Sequence, residues 1–393
     1  MAELYSLPNG WEWKKLRDKV VCELIMGQSP SSDTYNSDGI GIPFFQGKTE
    51  FGEIYPRVSK YCTTPNKIAQ IGDILLSVRA PVGPTNIANI ECCIGRGLGA
   101  IRPNSKNTLT NYLLYFFRNF EIEISNKGKG STFPAITKKE LEEINIPLPP
   151  LKEQKRIVAK LDNLFAKIDK AIALHQKNID EADIFMASVL NDVFVELEEK
   201  YEKKILGNLT KTTSGGTPSR NQKSYWNGTI GWLKSGELND GYITEVEEYI
   251  TEEGLNKSSA KLFPKGTLLI AMYGATVGRL GILKIKTTTN QAICGILNDK
   301  KEFETLYMFY FLKKSREKMI KDSFGGAQPN ISQTYIKELE IPLPPLQTQQ
   351  KVVSYLDEIS QKMEKIKNLQ KEKMQSLKEL KASILDKAFK GEL

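Results

Sequence analysis

The chain has 393 residues, with 55 Lys and Arg against 47 Asp and Glu, one histidine, five cysteines and a net charge of +8. At about 100–200 residues per domain, this length predicts two or three domains, and 40% apolar with 26% charged residues is an ordinary globular composition, neither disordered nor collagenous. One histidine argues against His-based zinc sites and Ser-His-Asp or Cys-His catalysis, five cysteines without C-x-x-C spacing argue against a disulfide frame or metal site, and the mild positive charge permits nucleic acid without demanding it.

The first sixteen residues contain no apolar signal core, and no stretch approaches the ~18 apolar residues of a membrane span, so a cytoplasmic protein without a membrane partner is expected. Residues 1–145 are rich in Gly, Ser, Thr and Asn, with a β-like run at 74–78 and a short helical pattern at 111–117. A short strand at 144–146 then meets Pro149 and Pro150, after which neither Pro nor Gly interrupts residues 151–197. Apolar residues recur there in steps of three and four, at Ile157, Leu161, Leu164, Ile168, Ala171, Ala182, Met186, Val189 and Val193. Such a sustained heptad seam predicts a coiled-coil helix of roughly 70 Å. Lone His175 falls on this seam and reads as a structural polar residue.

Residues 198–340 repeat the mixed pattern, with a β-like run at 268–272 and a helical pattern at 306–312. A strand at 339–341, Pro344-Pro345 and an uninterrupted stretch at 346–390 follow, with a seam at Val352, Leu356, Ile359, Met363, Ile366, Leu377, Leu380, Ile384 and Ala388.

The second pattern is a repeat of the first. The motif Ile-Pro-Leu-Pro-Pro-Leu occupies 146–151 and 341–346, an offset of 195 that continues without gaps through Gln154/Gln349, Leu161/Leu356 and Asp162/Asp357 to Phe194/Phe389. Upstream it reaches Gly130/Gly325. The variable blocks share weaker landmarks: 27–30 faces 215–218, 72–76 faces 266–269, and Val82-Gly83 faces Val277-Gly278. The fold class expected is therefore α+β, two similar mixed α/β domains separated by two long antiparallel helices that form an intramolecular coiled coil. No phosphate loop, dinucleotide G-x-G-x-x-G, H-E-x-x-H or methyltransferase tetrad is present, and helix carboxylates alternate with lysines as on a solvated face. The chain reads as no enzyme on its own, with no cofactor and no metal.

The arrangement resembles the specificity subunit of type I restriction–modification systems. The resemblance is carried by Leu7-Pro8-Asn9-Gly10-Trp11, both Ile-Pro-Leu-Pro-Pro-Leu motifs with Gln154 and Gln349, residues 266–270, 289–292 and 327–332, and the terminal 389–393. It implies two target-recognition domains (1–148 and 198–343) and two helical spacers (149–197 and 344–393). It also implies double-stranded DNA as ligand, two docked modification (methyltransferase) subunits, and ATP-dependent restriction subunits in the full complex. The Pro-x-Gly-Trp opening has no counterpart before the second domain, whose start is left open by several residues. Two readers about 70 Å apart span about two turns of B-DNA, at roughly 34–36 Å each, so an asymmetric bipartite target with an unread gap is expected.

Base edges are read by Arg, Lys, Asn, Gln, Ser and Thr, and phosphates by Lys and Arg, so polar residues in glycine-rich loops are the DNA-binding candidates. In the first domain these are Gln28, Ser29, Gln46, Lys48, Arg79, Arg96, Lys127 and Lys129; in the second, Thr217, Arg220, Lys223, Tyr225, Lys234, Tyr273, Arg279, Asn290 and Gln328. Arg79 leads, because it ends a β-run and precedes the Ala80-Pro81-Val82-Gly83 turn. Two other classes stay open: a non-catalytic coiled-coil adaptor without DNA, and a remnant of a fused restriction–methylation enzyme.

Overall fold

In the computed structural model, which describes residues 5–127, 135–325 and 329–393, each proline pair ends a short strand and opens a long helix. Strand Asn145–Leu148 is followed by helix Leu151–Lys200, and strand Glu340–Pro342 by helix Leu346–Lys390. Proline suits the start of a helix because the N–H it lacks would have no partner in the first turn, and its fixed φ is already helical. The Pro150 carbonyl accepts the N–H groups of Glu153 and Gln154, and Pro345 serves Thr348 and Gln349 in the same way.

The chain divides into two compact units, residues 1–176 with 371–393 and residues 177–370, so the division falls inside both helices. Within the first unit the two helical segments run antiparallel: Arg156 donates to the Leu393 carbonyl at 2.7 Å, while Lys381 pairs with Asp169 at 2.8 Å. Within the second unit they are antiparallel again, with Lys367 on Asp183 at 2.9 Å and the Asn178 amide on Gln370. The heptad seam is most deeply buried toward the helix ends, at Ile157, Leu161, Ile168, Met186, Leu356 and Ala388. Two seam positions depart from the reading: Ile366 is 38% and Leu380 49% exposed. A helix pair covers a seam from one side only, whereas near the helix ends the globular core adds a second wall.

Each unit is built on the same plan. In the first, strands Cys22–Met26, Leu98–Pro103, Ile74–Ser77 and Thr85–Ile87 lie side by side in that order, all antiparallel. In the second the order is Thr212–Ser214, Ile293–Ile296, Leu268–Ala271 and Leu280–Leu283, with Gly241–Ile243 added parallel at the edge. The N-terminal strand Glu12–Lys15 pairs with Asn145–Leu148, placing Trp13 opposite Pro147. Strand Lys203–Ile205 pairs with Glu340–Pro342 and places Lys203 opposite Pro342. Lys203 is thus the structural counterpart of Trp13, the start that sequence comparison alone does not find.

The repeat also extends further upstream than the matched sequence blocks. Helices Thr110–Asn119 and Thr305–Lys314 carry Tyr112 and Tyr307, whose hydroxyls donate at 2.6 Å to the carbonyls of Pro147 and Pro342. The hydroxyls of Tyr115 and Tyr310 donate to Asp162 and Asp357. Fully buried Gln154 accepts the Leu109 N–H at 2.9 Å and donates to the Asn107 and Pro149 carbonyls at 2.8 Å. Gln349 does the same for the Glu304 N–H at 2.9 Å and the Pro344 carbonyl at 2.8 Å. The glutamine after each proline motif therefore ties the start of the long helix to the start of an aromatic helix.

The far ends of the helices are exchanged. Phe194 packs on Tyr307 and Phe311 with ring centroids 5.4 and 5.5 Å away, and Phe389 packs on Tyr112 and Phe116 at 5.2 and 5.7 Å. The helix that begins in one unit completes the aromatic core of the other. Among the described residues no helix is long and apolar enough to cross a membrane. All five cysteines are buried, and burial pushes the Cys22, Cys92 and Cys294 thiols up to about 12, the condition of unreactive packing residues.

Candidate nucleic-acid interface

In the first unit, four of the selected residues come together. Ser29, Gln46, Arg79 and Arg96, with Pro30, Ser31, Ser32 and Tyr35, line one open cavity of about 550 Å³. Among the described residues two guanidinium groups face it and no carboxylate does, so the cavity carries a positive field. Its floor is aromatic: Tyr35 stacks on buried Phe44 at 4.6 Å and donates its hydroxyl to the Pro30 carbonyl at 2.8 Å.

The backbone fixes where these side chains stand. Leu98 donates to the Gly95 carbonyl at 3.0 Å, closing a turn that leaves Arg96 exposed at its tip. The Arg96 N–H rests on the Ser29 hydroxyl at 3.1 Å. Close approach requires glycine at 97, where a Cβ would stand 2.2 Å from the Gln46 carbonyl, and favours it at 95, where one would crowd the Phe44 ring at 3.1 Å. Arg79 follows buried Val78, which donates to the Gly97 carbonyl, and one residue further on the Ala80–Pro81 peptide is cis. Below, nearly buried Asp73 holds Arg102 by two hydrogen bonds of 3.0 and 2.8 Å, anchoring the strand that leads to Arg79.

The remaining first-unit candidates lie elsewhere. Gln28 is exposed beside Ser29, with its N–H on the Ile94 carbonyl. Lys48 borders a separate cavity of about 450 Å³ with Arg118, Glu121 and Leu385. Lys127 ends helix Glu121–Lys127, its side chain outside the described part, and Lys129 lies outside the described residues.

Hydrogen bonds map the second unit onto the first position by position. Gly215 donates to Ile293 as Gly27 does to Leu98, and Gly216 donates to Thr289 as Gln28 does to Ile94. Asn290 donates to Leu233 as Gly95 does to Phe45, and Met272 donates to Ala292 as Val78 does to Gly97. Tyr273 bridges Asn330 as Arg79 bridges Ala135. The counterparts of Ser29, Arg79 and Arg96 are therefore Thr217, Tyr273 and Gln291. Gln291, exposed at its turn tip and accepting the Thr217 hydroxyl, is absent from the sequence-selected set. The signal for it existed, since Gln291 follows Arg96 by the same 195 residues as the helical repeat.

Two of the charged second-unit candidates, Arg220 and Lys234, are engaged within the protein. Arg220 lies 3.7 Å over the Trp226 ring and pairs with Glu248 at 2.5 Å, and Lys234 pairs with Glu247 and Glu248 at 2.9 and 3.1 Å. Both carboxylates line the cavity of about 470 Å³ that Arg220 borders, so its field is neutralised. The Arg220 and Lys234 contacts outweigh the cost of burial and hold the Glu248 carboxyl below its ordinary range, Arg220 first. Lys223 is exposed and Tyr225 half-buried on one 3-10 turn, and Arg279 is exposed beside Gly278. Asn290 is half-buried, and its amide oxygen is buried without a hydrogen-bond partner among the described residues. Gln328 lies outside the described residues.

The comparisons with known proteins agree with this duplicated plan. The model of the type I restriction modification DNA specificity domain matches residues 8–181 and 198–374. The type I restriction enzyme MjaIX specificity subunit of Methanocaldococcus jannaschii is 33% identical over 178 residues, 43% of this chain and 41% of that protein. A second specificity subunit of that organism is 42% identical over 190 residues, 48% of this chain and 44% of its own length. The chain thus spans less than half the length of these two relatives. The Escherichia coli K12 EcoKI specificity subunit is 27% identical over 330 residues, 77% of this chain and 69% of that one. In fold, the chain resembles a solved type I R-M system chain with a TM-score of 0.78 at 23% identity, covering 99% of this chain and 100% of that one. It also resembles the HsdS subunit from Thermoanaerobacter tengcongensis, at 0.55 and 23%, covering 100% and 99%.

Proposed function

Because the chain belongs to the type I restriction modification DNA specificity family, we propose that it is the DNA-reading subunit of a type I restriction–modification complex. Each unit addresses one half of a bipartite duplex target. The observation that carries this reading is the duplicated loop platform: one backbone plan presents Ser29, Arg79 and Arg96 in one unit and Thr217, Tyr273 and Gln291 in the other. A shared scaffold with different side chains at equivalent positions is suited to reading two different half-sites, which makes the target asymmetric. Backbone contacts from Lys and Arg position such a reader, and base-edge contacts give it sequence preference.

The chain supplies address and spacing. Two modification subunits dock on it, one per repeat, and carry out methyl transfer; restriction subunits join for cleavage and ATP-driven translocation. The lengths of the helical segments set the number of unread base pairs between the half-sites. The exposed cations Lys48, Lys223 and Arg279 serve as phosphate contacts, and Lys127 and Lys129 are assigned the same role from sequence, with Gln28, Tyr225, Asn290 and Gln328 near base edges. Arg220 and Lys234 act only after exchanging Glu247 and Glu248 for phosphate.

The test is a gel-shift titration of the full chain with its modification subunit at increasing salt, together with methylation mapping of the source cells with and without the chain. Binding should weaken with salt by a slope of about −0.9 per phosphate contacted, and one bipartite methylation motif should vanish when the chain is absent. Salt-insensitive binding, or a methylation pattern unchanged by loss of the chain, would refute the proposal.

A further inference from the structure

Arg96 and Gln291 occupy the same place in the two units, at the tip of a turn whose backbone leaves little room to move. In the first, the Gly95 N–H is held by the Phe45 carbonyl, the Leu98 N–H by Gly95, and the Arg96 N–H by the Ser29 hydroxyl. The Gly97 carbonyl is taken by Val78. Both flanking residues are glycines, Gly97 in a place where a Cβ would collide with the Gln46 carbonyl, so Arg96 is the one side chain the tip presents. In the second, Asn290, Ile293 and Ala292 make the same bonds to Leu233, Asn290 and Met272. The hydroxyl that supports the Arg96 backbone is replaced there by Thr217, which donates to the Gln291 side-chain oxygen instead.

This difference has a chemical consequence. The Arg96 guanidinium is a planar fork of donors, exposed on a cavity that no carboxylate lines among the described residues, and it matches the paired acceptors O6 and N7 of guanine. Gln291 offers one acceptor and one donor, the set that matches N6 and N7 of adenine. Its oxygen keeps a second lone pair when the Thr217 hydroxyl occupies the first, so the threonine orients the amide without blocking it. Resting on the DNA-reading function above, we infer that Arg96 and Gln291 are equivalent specificity-determining residues, Arg96 selecting a guanine in one half-site and Gln291 an adenine in the other.

The experiment selects bound duplexes from a library randomised over both half-sites, using the full chain with its modification subunit, as wild type and as Arg96→Gln, Arg96→Ala, Gln291→Arg and Gln291→Ala. Each alanine variant should lose about 5- to 150-fold of its preference for one base, at one position of one half-site, with the other half-site unchanged as an internal control. Arg96→Gln should move that position toward adenine, and Gln291→Arg should move its counterpart toward guanine. An unchanged motif overturns the assignment. So does a uniform loss of affinity with a shallower salt slope, which makes the residue a phosphate contact, and so does collapse of a whole half-site, which makes it a scaffold residue. A wild-type chain that selects no motif at all would instead refute the DNA-reading function on which the inference rests.

Discussion

Replacing Gln154 with alanine isolates the contact that joins the repeated motif to the rest of its unit. The side chain is fully buried and makes three hydrogen bonds, accepting from Leu109 and donating to Asn107 and Pro149. Truncation leaves the half-buried Leu109 N–H and the buried Pro149 carbonyl without their side-chain partner, each at a cost of about 1–3 kcal/mol. The partly accessible Asn107 carbonyl can turn to water and adds little. A loss of about 3 kcal/mol follows, and at about 2–4 °C per kcal/mol for a unit of this size the first unit should melt about 6–12 °C lower. Gln349→Ala removes the equivalent bonds to Glu304 and Pro344 and should lower the melting of the second unit instead. Differential scanning calorimetry of both single variants and the double variant measures this. The two sites share no partner, so their effects should add. A shift below 2 °C for Gln154→Ala would show that the glutamine is not what ties the long helix to the aromatic helix, and the reasoning would fall.

Phe389→Ala should destabilise the first unit by about 3–5 kcal/mol and leave the second unaffected, because Phe389 packs on Tyr112 and Phe116; urea unfolding followed by unit-specific proteolysis reads the difference. Inserting one heptad into both long helices adds about 10 Å of helical rise and should widen the unread gap by roughly 3 base pairs; an unchanged gap in methylation mapping would refute the proposal that helix length sets the gap. Burial pushes the Asp240 carboxyl up, but hydrogen bonds from Arg316 and the Leu280 N–H, with the Arg316 charge, hold it below its ordinary value. A depressed folded-state pKa contributes stability above the unfolded value of about 3.9 that is lost as pH falls through the folded value. Melting of the second unit should therefore drop below about pH 4, and Asp240→Asn should flatten that drop.

The fold class was legible in particular residues. Two proline motifs 195 residues apart, each followed by dozens of residues without Pro or Gly, leave a long helix as the only regular structure, and the period of Ile157, Leu161 and Ile168 names the face it buries. The seam failed at Ile366 and Leu380 because periodicity tells which residues share a face but not how much protein covers it. The candidate site was half legible: glycine-rich loops pointed to Ser29, Gln46, Arg79 and Arg96, which do share one cavity. The repeat offset of 195 residues already aligns Gln291 with Arg96, but nothing local marks it as a reader; its standing comes from hydrogen bonds that put it at the same turn tip. Arg220 and Lys234 were chosen for their charge, and only the fold brings Glu247 and Glu248 up to them.

Length, composition and a mild positive charge bounded the protein to a few globular domains, and the internal repeat then determined the rest of what sequence alone could: two related halves, two long helices, and a family. Those features are local or periodic, and chain connectivity suffices to express them. Which helix end completes which core, which strand opens the second unit, and which side chains stand at equivalent turn tips are relations between residues distant in sequence. Phe194 on Tyr307, Lys203 opposite Pro342 and Gln291 at a turn tip like that of Arg96 were decided by packing and backbone hydrogen bonding, which act through space; the 195-residue offset aligns Gln291 with Arg96 but does not tell what either one stands beside.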